Sequence, residues 1–203
     1  MGKLLLFIWK MVDPIYFFFT RLTYIRKGEN IFRVRLTRYK GYTVILSDGT
    51  KIEKNDILLK IHLHNVKLLT EMNHFHNDFQ RGNYFYHSVK NSLPELALYL
   101  FHHPKQEKIK GLIGITHLKL HKNNLGFDRI NIKNGLYRKL KQLTLFPIYF
   151  LSTNRYRKNE KRFEEPVYFI MSKSILFEKH LSEKEILSLN MDNPFIYSIN
   201  DVQ

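Results

Sequence analysis

The 203-residue sequence contains no cysteine. That absence excludes a disulfide scaffold, a thiolate nucleophile, a four-cysteine zinc site and an iron–sulfur cluster, and it fits a reducing compartment. Acids are scarce too: 18 Asp and Glu stand against 33 Lys and Arg, a formal net charge of +15. Such an excess points to an anionic partner, whether nucleic acid, an acidic membrane surface or an anionic polymer, or else only keeps a solvated surface soluble. No apolar run is long enough to cross a bilayer. The N-terminal run, residues 4–9, is interrupted by Lys10 and Asp13-Pro14, whereas a spanning helix needs about 20 mostly apolar residues. No small-residue cleavage site follows it, as a signal peptide requires.

Catalytic signatures are missing as well. There is no Gly-rich phosphate loop, no GxSxG nucleophile elbow, no acetyl-CoA pyrophosphate loop, and no placeable pair of carboxylates for glycoside chemistry. The basic-aromatic stretches Arg33 to Tyr39 and Arg155-Tyr156-Arg157 could stack bases and bind phosphates. No RRM, KH or helix-turn-helix pattern accompanies them, which disfavours nucleic acid as partner.

What is present supports a folded domain. A hydrophobic fraction of 44%, including 16 Phe and 12 Tyr, is enough for a sizeable core in a chain of this length. The charge is uneven: +7 over residues 1–60, +3 over 61–120, +8 over 121–180 and −3 over 181–203. Residues 1–30 read as a helical segment packed on the domain, 31–189 as the domain itself and 190–203 as a tail. The first segment is either an ordinary packed helix, restarted after Pro14 and ended before Gly28, or an interfacial helix. In the second case Trp9, Tyr16 and residues 17–19 sit at headgroup level, with Arg21, Arg26 and Lys27 on anionic lipid.

Strict alternation over Phe32 to Tyr39 predicts a half-buried strand, with Phe32, Val34 and Leu36 on one face and Arg33, Arg35 and Thr37 on the other. Residues 43–46 and 51–53 flank Asp48-Gly49 as a hairpin. A third run, Ile57 to Asn65, puts Ile57, Leu59, Ile61 and Leu63 opposite Leu58, Lys60, His62 and His64, completing an antiparallel meander. A helix begins at Val66, residues 73–83 read as a polar, aromatic-dotted connection, and Ser92-Leu-Pro-Glu95 reads as a capping box opening a helix that stops at Pro104. Leu112 to Thr116, a helix over His117 to Leu125 and Phe127 to Ile132 form a strand–helix–strand unit. Leu136 to Leu145 is a basic amphipathic helix, with Arg138, Lys139 and Lys141 opposite Leu136, Leu140 and Leu143. Beyond the charged loop Asn154 to Glu165, Val167 to Met171 is continuous enough to occupy a sheet centre, and a last short helix starts at Ser182.

The chemistry-bearing candidates lie on the third strand. His62 and His64 project from one face about 6.6–7 Å apart, a geometry open to three readings: two metal ligands, a polar site for an anionic ligand, or hydrogen-bonded structural histidines. A metal would need a third ligand from Asp48, Asp56, His74 or His76. The pairs His102-His103 and His117/His121 are weaker, the latter lacking the glutamate of the zincin pattern.

The ordered motifs Trp9…Asp13-Pro14, Phe32-Arg-Val-Arg35…Tyr39-x-Gly41, Leu46-Ser-Asp-Gly-Thr50, Asp56…Lys60-Ile-His-Leu-His-Asn65, Gly114-Ile-Thr-His-Leu118…Leu125-Gly-Phe127 and Ile170-Met-Ser172…Leu176 resemble the YkoP-like family of bacterial proteins over about residues 5–180. The resemblance implies a domain found alone in spore-forming Gram-positive bacteria and, elsewhere, attached to polysaccharide deacetylase domains. The deacetylase metal motifs are absent from this chain, so the implied context is cell-envelope glycopolymers or their lipid-linked precursors, not that reaction.

The reading is therefore an α+β domain, an antiparallel β-meander joined to a strand–helix–strand half in a single mixed sheet flanked by helices. Its expected role is accessory or ligand-binding: a basic face of Arg33, Arg35, Lys60, His62 and His64 engages an anionic envelope glycopolymer or membrane surface. The alternative is an enzyme of unknown reaction centred on His62 and His64 with Asp56, with or without the assistance of a metal. A cytoplasmic location, peripheral to the membrane at most, is expected; cofactor and oligomeric state stay open.

Overall fold

The computed structural model describes residues 7, 11–14, 17–116, 125–152 and 165–182, the side chains of 147–152 excepted. Two strands carry out the predicted alternation. In β2 (Phe32–Arg38) and β5 (Ile57–Leu63), the residues Phe32, Val34, Leu36, Ile57, Leu59, Ile61 and Leu63 enter the main core, while their neighbours point to the opposite face. The strands pair antiparallel, so Arg33 lies opposite His62 and Arg35 opposite Lys60.

These strands belong to a six-stranded mixed sheet. β1 (Thr23–Tyr24) lines the outer edge of β2, β6 (Ile109–Thr116) joins β5 in parallel, and β8 (Val167–Ser172) lies between β6 and β7 (Asp128–Asn131), antiparallel to both. A parallel pair demands a long crossover, supplied here by helices α1 (Asn65–Met72) and α2 (Asp78–Phe101). On the first face of the sheet, Val89, Leu93, Leu96, Ala97 and Leu100 of α2, together with Leu176 of α4 (Lys173–His180), close the core. Flanked on both edges, β8 is buried at every position, as its unbroken apolar run predicts. Strands β6 and β8 approach so closely at Gly111 that a Cβ there would run into the Met171 carbonyl oxygen.

The second face is covered differently. Strands β3 (Val44–Ile45) and β4 (Lys51–Ile52) form their own two-stranded sheet. Val44, Leu46 and Ile52 join Tyr39, Leu58, Ile113, Ile132, Tyr168 and Ile170 in a second apolar cluster, on which Tyr137 of α3 (Gly135–Ser152) also packs. The Tyr39 hydroxyl occupies the place a Cβ on Gly41 would take, which accounts for the Tyr39-x-Gly41 spacing.

Several expectations need correction. The meander is not one run of neighbouring strands: β2 pairs directly with β5, and the hairpin between them folds over the sheet because its apolar side chains are buried there. Residues 73–83 are not all connection. The Asn77 side chain accepts from the Gln80 amide at 2.7 Å, starting α2 fourteen residues before the proposed box at Ser92, and the helix carries Pro94 in its interior. Helix α4 was missed; Ser172 caps it by accepting from the Ile175 amide at 3.1 Å. The helix placed at His117 to Leu125 falls, except for Leu125, outside the described residues, as do most of the Asn154–Glu165 loop, the helix placed from Ser182 beyond that residue, and the tail 190–203. Among the described residues no helix is long and apolar enough to cross a membrane.

Candidate functional site

Along β5 the second face changes character. Leu58 lies within the hairpin's apolar cluster, whereas Lys60 and His62 extend beyond it beside Arg35 and Arg33 of β2. Directly opposed residues of an antiparallel pair have Cβ atoms about 4.5–5.5 Å apart, and like charges so placed work against the sheet. A fold that sets Arg35 against Lys60 therefore carries an electrostatic strain that the core must offset.

Arg33 is the neutralised member. It is 2% exposed, and its guanidinium grips Asp13 in a two-pronged bridge, Nη1 to Oδ1 at 2.8 Å and Nη2 to Oδ2 at 2.6 Å. The Phe17 and Tyr24 rings lie 5.3 and 4.8 Å from its central carbon. This bridge fastens the helical residues 11–14 and 17–20 to the sheet. The Asp13-Pro14 pair, which in sequence reads only as an interruption, supplies the counter-ion.

Arg35, Lys60 and Lys141 have no such counter-ion among the described residues. Arg35 Nη1 donates a long 3.5 Å bond to the Thr20 carbonyl, and its Nε is buried with no hydrogen-bond partner among them. Burial, then Lys141 and Arg35, pull the Lys60 amine down to about 8. Burial and then Arg35 also lower Lys141, whose Nζ stands 5.4 Å from the Tyr137 ring centre. His62 is driven to about 3 by burial first and then by Lys60, Arg35, Lys141 and Arg33, so it is neutral at physiological pH. Tyr168 donates its hydroxyl to that of Tyr137, and burial, the first cause in each, pushes the pKa of both hydroxyls up, so both stay protonated at neutral pH. Three cations, a neutral imidazole and a tyrosine thus converge from β2, β5 and α3. Lys141 and Tyr137 were missed as site residues; the available signal was the basic face of α3.

The other predicted residues are elsewhere. His64 lies one position past β5, where its Nδ1 accepts from the Lys67 amide at 3.0 Å and caps α1. Asp56 sits at the far end of β5, six residues and about 20 Å from His62 along the strand. There it pairs with Lys110 at 2.9 Å and accepts from the Glu53 amide at 2.7 Å. Burial favours its neutral form, but those bonds outweigh it and hold the carboxyl below the usual range. His102 Nδ1 lies 2.9 Å from the Leu98 carbonyl, and His103 Nδ1 accepts from the Lys105 amide at 3.0 Å. Among the described residues, no three His, Asp or Glu side chains gather as metal ligands would.

Two motifs distant in sequence meet at the opposite end of the second face. Asp48 accepts from Ser172 at 2.5 Å, Ser174 at 3.1 Å and Thr50 at 2.8 Å, tying the hairpin to the α4 cap. Burial acts to raise this carboxyl, but the hydroxyl bonds prevail and lower it.

Comparisons with known proteins identify relatives of this chain. The model of the YkoP domain matches residues 2–180. A Bacillus subtilis (strain 168) relative, "Uncharacterized protein YkoP", is 50% identical over 147 residues, covering 72% of this chain and 80% of its own length. No solved structure matches. With a family model that covers most of the chain and half of the aligned residues identical to that relative, the chain belongs to the YkoP family.

Proposed function

We propose that this chain is an accessory, anion-binding domain of cell-envelope polysaccharide metabolism, and that Arg35, Lys60 and Lys141 take a phosphate group of its ligand. The observation that carries this reading is the cross-strand Arg35–Lys60 pair, joined by Lys141 with no carboxylate among the described residues. A purely structural surface gains nothing from gathering cations half out of water, whereas a bound dianion converts their repulsion into attraction and meets the Arg35 Nε with an acceptor. Neutral His62 and Tyr137 can add hydrogen bonds without adding charge. The family context supports an anionic glycopolymer or a lipid-linked precursor as the source of the phosphate. The enzyme alternative draws no support from the geometry, since Asp56 is a strand length away and His64 caps a helix.

Titration with inorganic phosphate tests the reading. The expected result is a midpoint of unfolding that rises with phosphate but not with chloride at equal ionic strength, and a response lost in Arg35→Met and Lys60→Met. A soluble poly(glycerol phosphate) should act at lower phosphate concentration than the inorganic ion. A wild-type chain indifferent to phosphate sinks the proposal.

A further inference from the structure

Helix α3 is turned inside out for a helix lying on a sheet. Its polar residue Lys141 and the Tyr137 ring face the protein, while Leu136, Leu140, Leu143 and Phe146 are 83, 55, 72 and 52% exposed. Spacings of four and three residues align the leucines in one outward stripe. A second apolar edge stands nearby: Phe18 and Phe19, each 78% exposed, pack on one another with ring centres 5.7 Å apart. The two edges flank the same cation. Arg35 touches the carbonyl of Thr20, the residue after Phe19, and lies within electrostatic range of Lys141, the residue after Leu140.

From this juxtaposition we infer that the second face is a membrane-docking surface, which seats Leu136, Leu140, Leu143, Phe146, Phe18 and Phe19 in the outer acyl layer of an anionic bilayer while Arg35, Lys60 and Lys141 hold a lipid phosphate. The inference rests on the anion-binding reading and selects the lipid headgroup as the source of the phosphate. Charge complementarity decides the occupant. A soluble polyanion satisfies the cations but leaves six large apolar side chains in water, and an apolar protein partner buries the stripe but leaves the cations unmatched. A bilayer surface presents phosphate and hydrocarbon a few ångströms apart in depth, in the order the face requires. Exposed Arg21 and Lys139 add cations at the rim.

Flotation with liposomes tests the inference, using phosphatidylcholine alone and equimolar phosphatidylcholine–phosphatidylglycerol. The full chain should bind the anionic liposomes and lose about tenfold or more in binding on neutral ones. The exposed pair L140S/L143S should lose about a hundredfold on anionic liposomes, as expected for two leucines withdrawn from an apolar layer, yet keep the wild-type response to inorganic phosphate. Phosphate binding without liposome binding would overturn the membrane surface and leave the anion site standing; loss of both would overturn both. Two further outcomes would overturn it: self-association of the chain abolished by L140S/L143S, which makes the stripe an interface between copies, and strong hydrogen-exchange protection of α3 in liposome-free monomer, which means another segment of the chain covers it.

Discussion

Lys60→Met removes the charge at the centre of the cationic cluster while keeping an unbranched side chain of similar length. An amine brought from its ordinary 10.5 to about 8 costs about 3 kcal/mol to keep protonated at neutral pH. Lys60 is only half-buried, and solvent screening reduces that figure to about 1–2 kcal/mol. The methionine variant should therefore be more stable than the parent by about that amount in urea unfolding at pH 7. The pH dependence follows from the sign of the displacement. Below pH 8 the lysine is protonated in both folded and unfolded chains, and the fold bears the whole penalty. Between pH 8 and 10.5 the folded chain loses its proton first, so wild-type stability rises across that window; in the variant the rise should shrink, leaving only what Lys141 contributes. Phosphate reverses the order. At about a hundred times its dissociation constant, a ligand specific for the folded state adds about 2.7 kcal/mol, which only the wild type should gain. A Lys60→Met chain that is less stable at pH 7, or that keeps the full alkaline rise, refutes the reasoning.

Asp13→Ala strands the buried Arg33 guanidinium and should cost about 3–5 kcal/mol, read by urea unfolding, with proteolysis near residue 20 reporting release of the N-terminal stretch; unchanged stability would show that the bridge does not fasten it. His62, held near 3 in the fold against about 6.5 in the unfolded chain, makes stability complete above pH 6.5 and drains it as pH falls toward 3. Its share is roughly 3–5 kcal/mol, and His62→Gln should flatten the acid limb of a stability–pH curve. Gly111→Ala drives a Cβ into the Met171 carbonyl and should lose about 2 kcal/mol or more in thermal unfolding. Gly114→Ala, with open space around the added carbon, should lose about 1 kcal/mol or less.

The legible part of the fold was its alternation. A period of two leaves no freedom in which face Phe32 or Leu59 takes, so β2, β5 and the all-apolar β8 could be read directly, and with them the shared face of Arg33, Arg35, Lys60 and His62. The partners of that face could not. Asp13 reaches Arg33 across twenty residues and Lys141 approaches Lys60 across eighty-one, separations about which local spacing is silent. The orientation of α3 is not legible in the sequence, because amphipathicity fixes two opposite sides but not which one meets the protein. Asn77 does not read as a cap because the residues after it, polar and aromatic, lack the clean apolar period of a buried helix. His62 and His64 looked equivalent two residues apart, yet the strand ends at Leu63, and the imidazole beyond it is claimed by a helix amide.

The place of β8 in the sheet also governs the order in which the fold can be completed. Strands β2 and β5 come together through a loop of under twenty residues, an early and local event. By contrast, β7 has its partner in β8 alone among the described strands, and the outer edge of β6 is open until β8 arrives. During synthesis both must therefore wait while residues 132–166 emerge, with apolar Leu112 and Ile113 beside an unpaired edge. That interval exposes a template for strand addition by other chains. A pause before β8 has emerged from the ribosome should raise aggregation, whereas a pause once residue 172 has emerged should not.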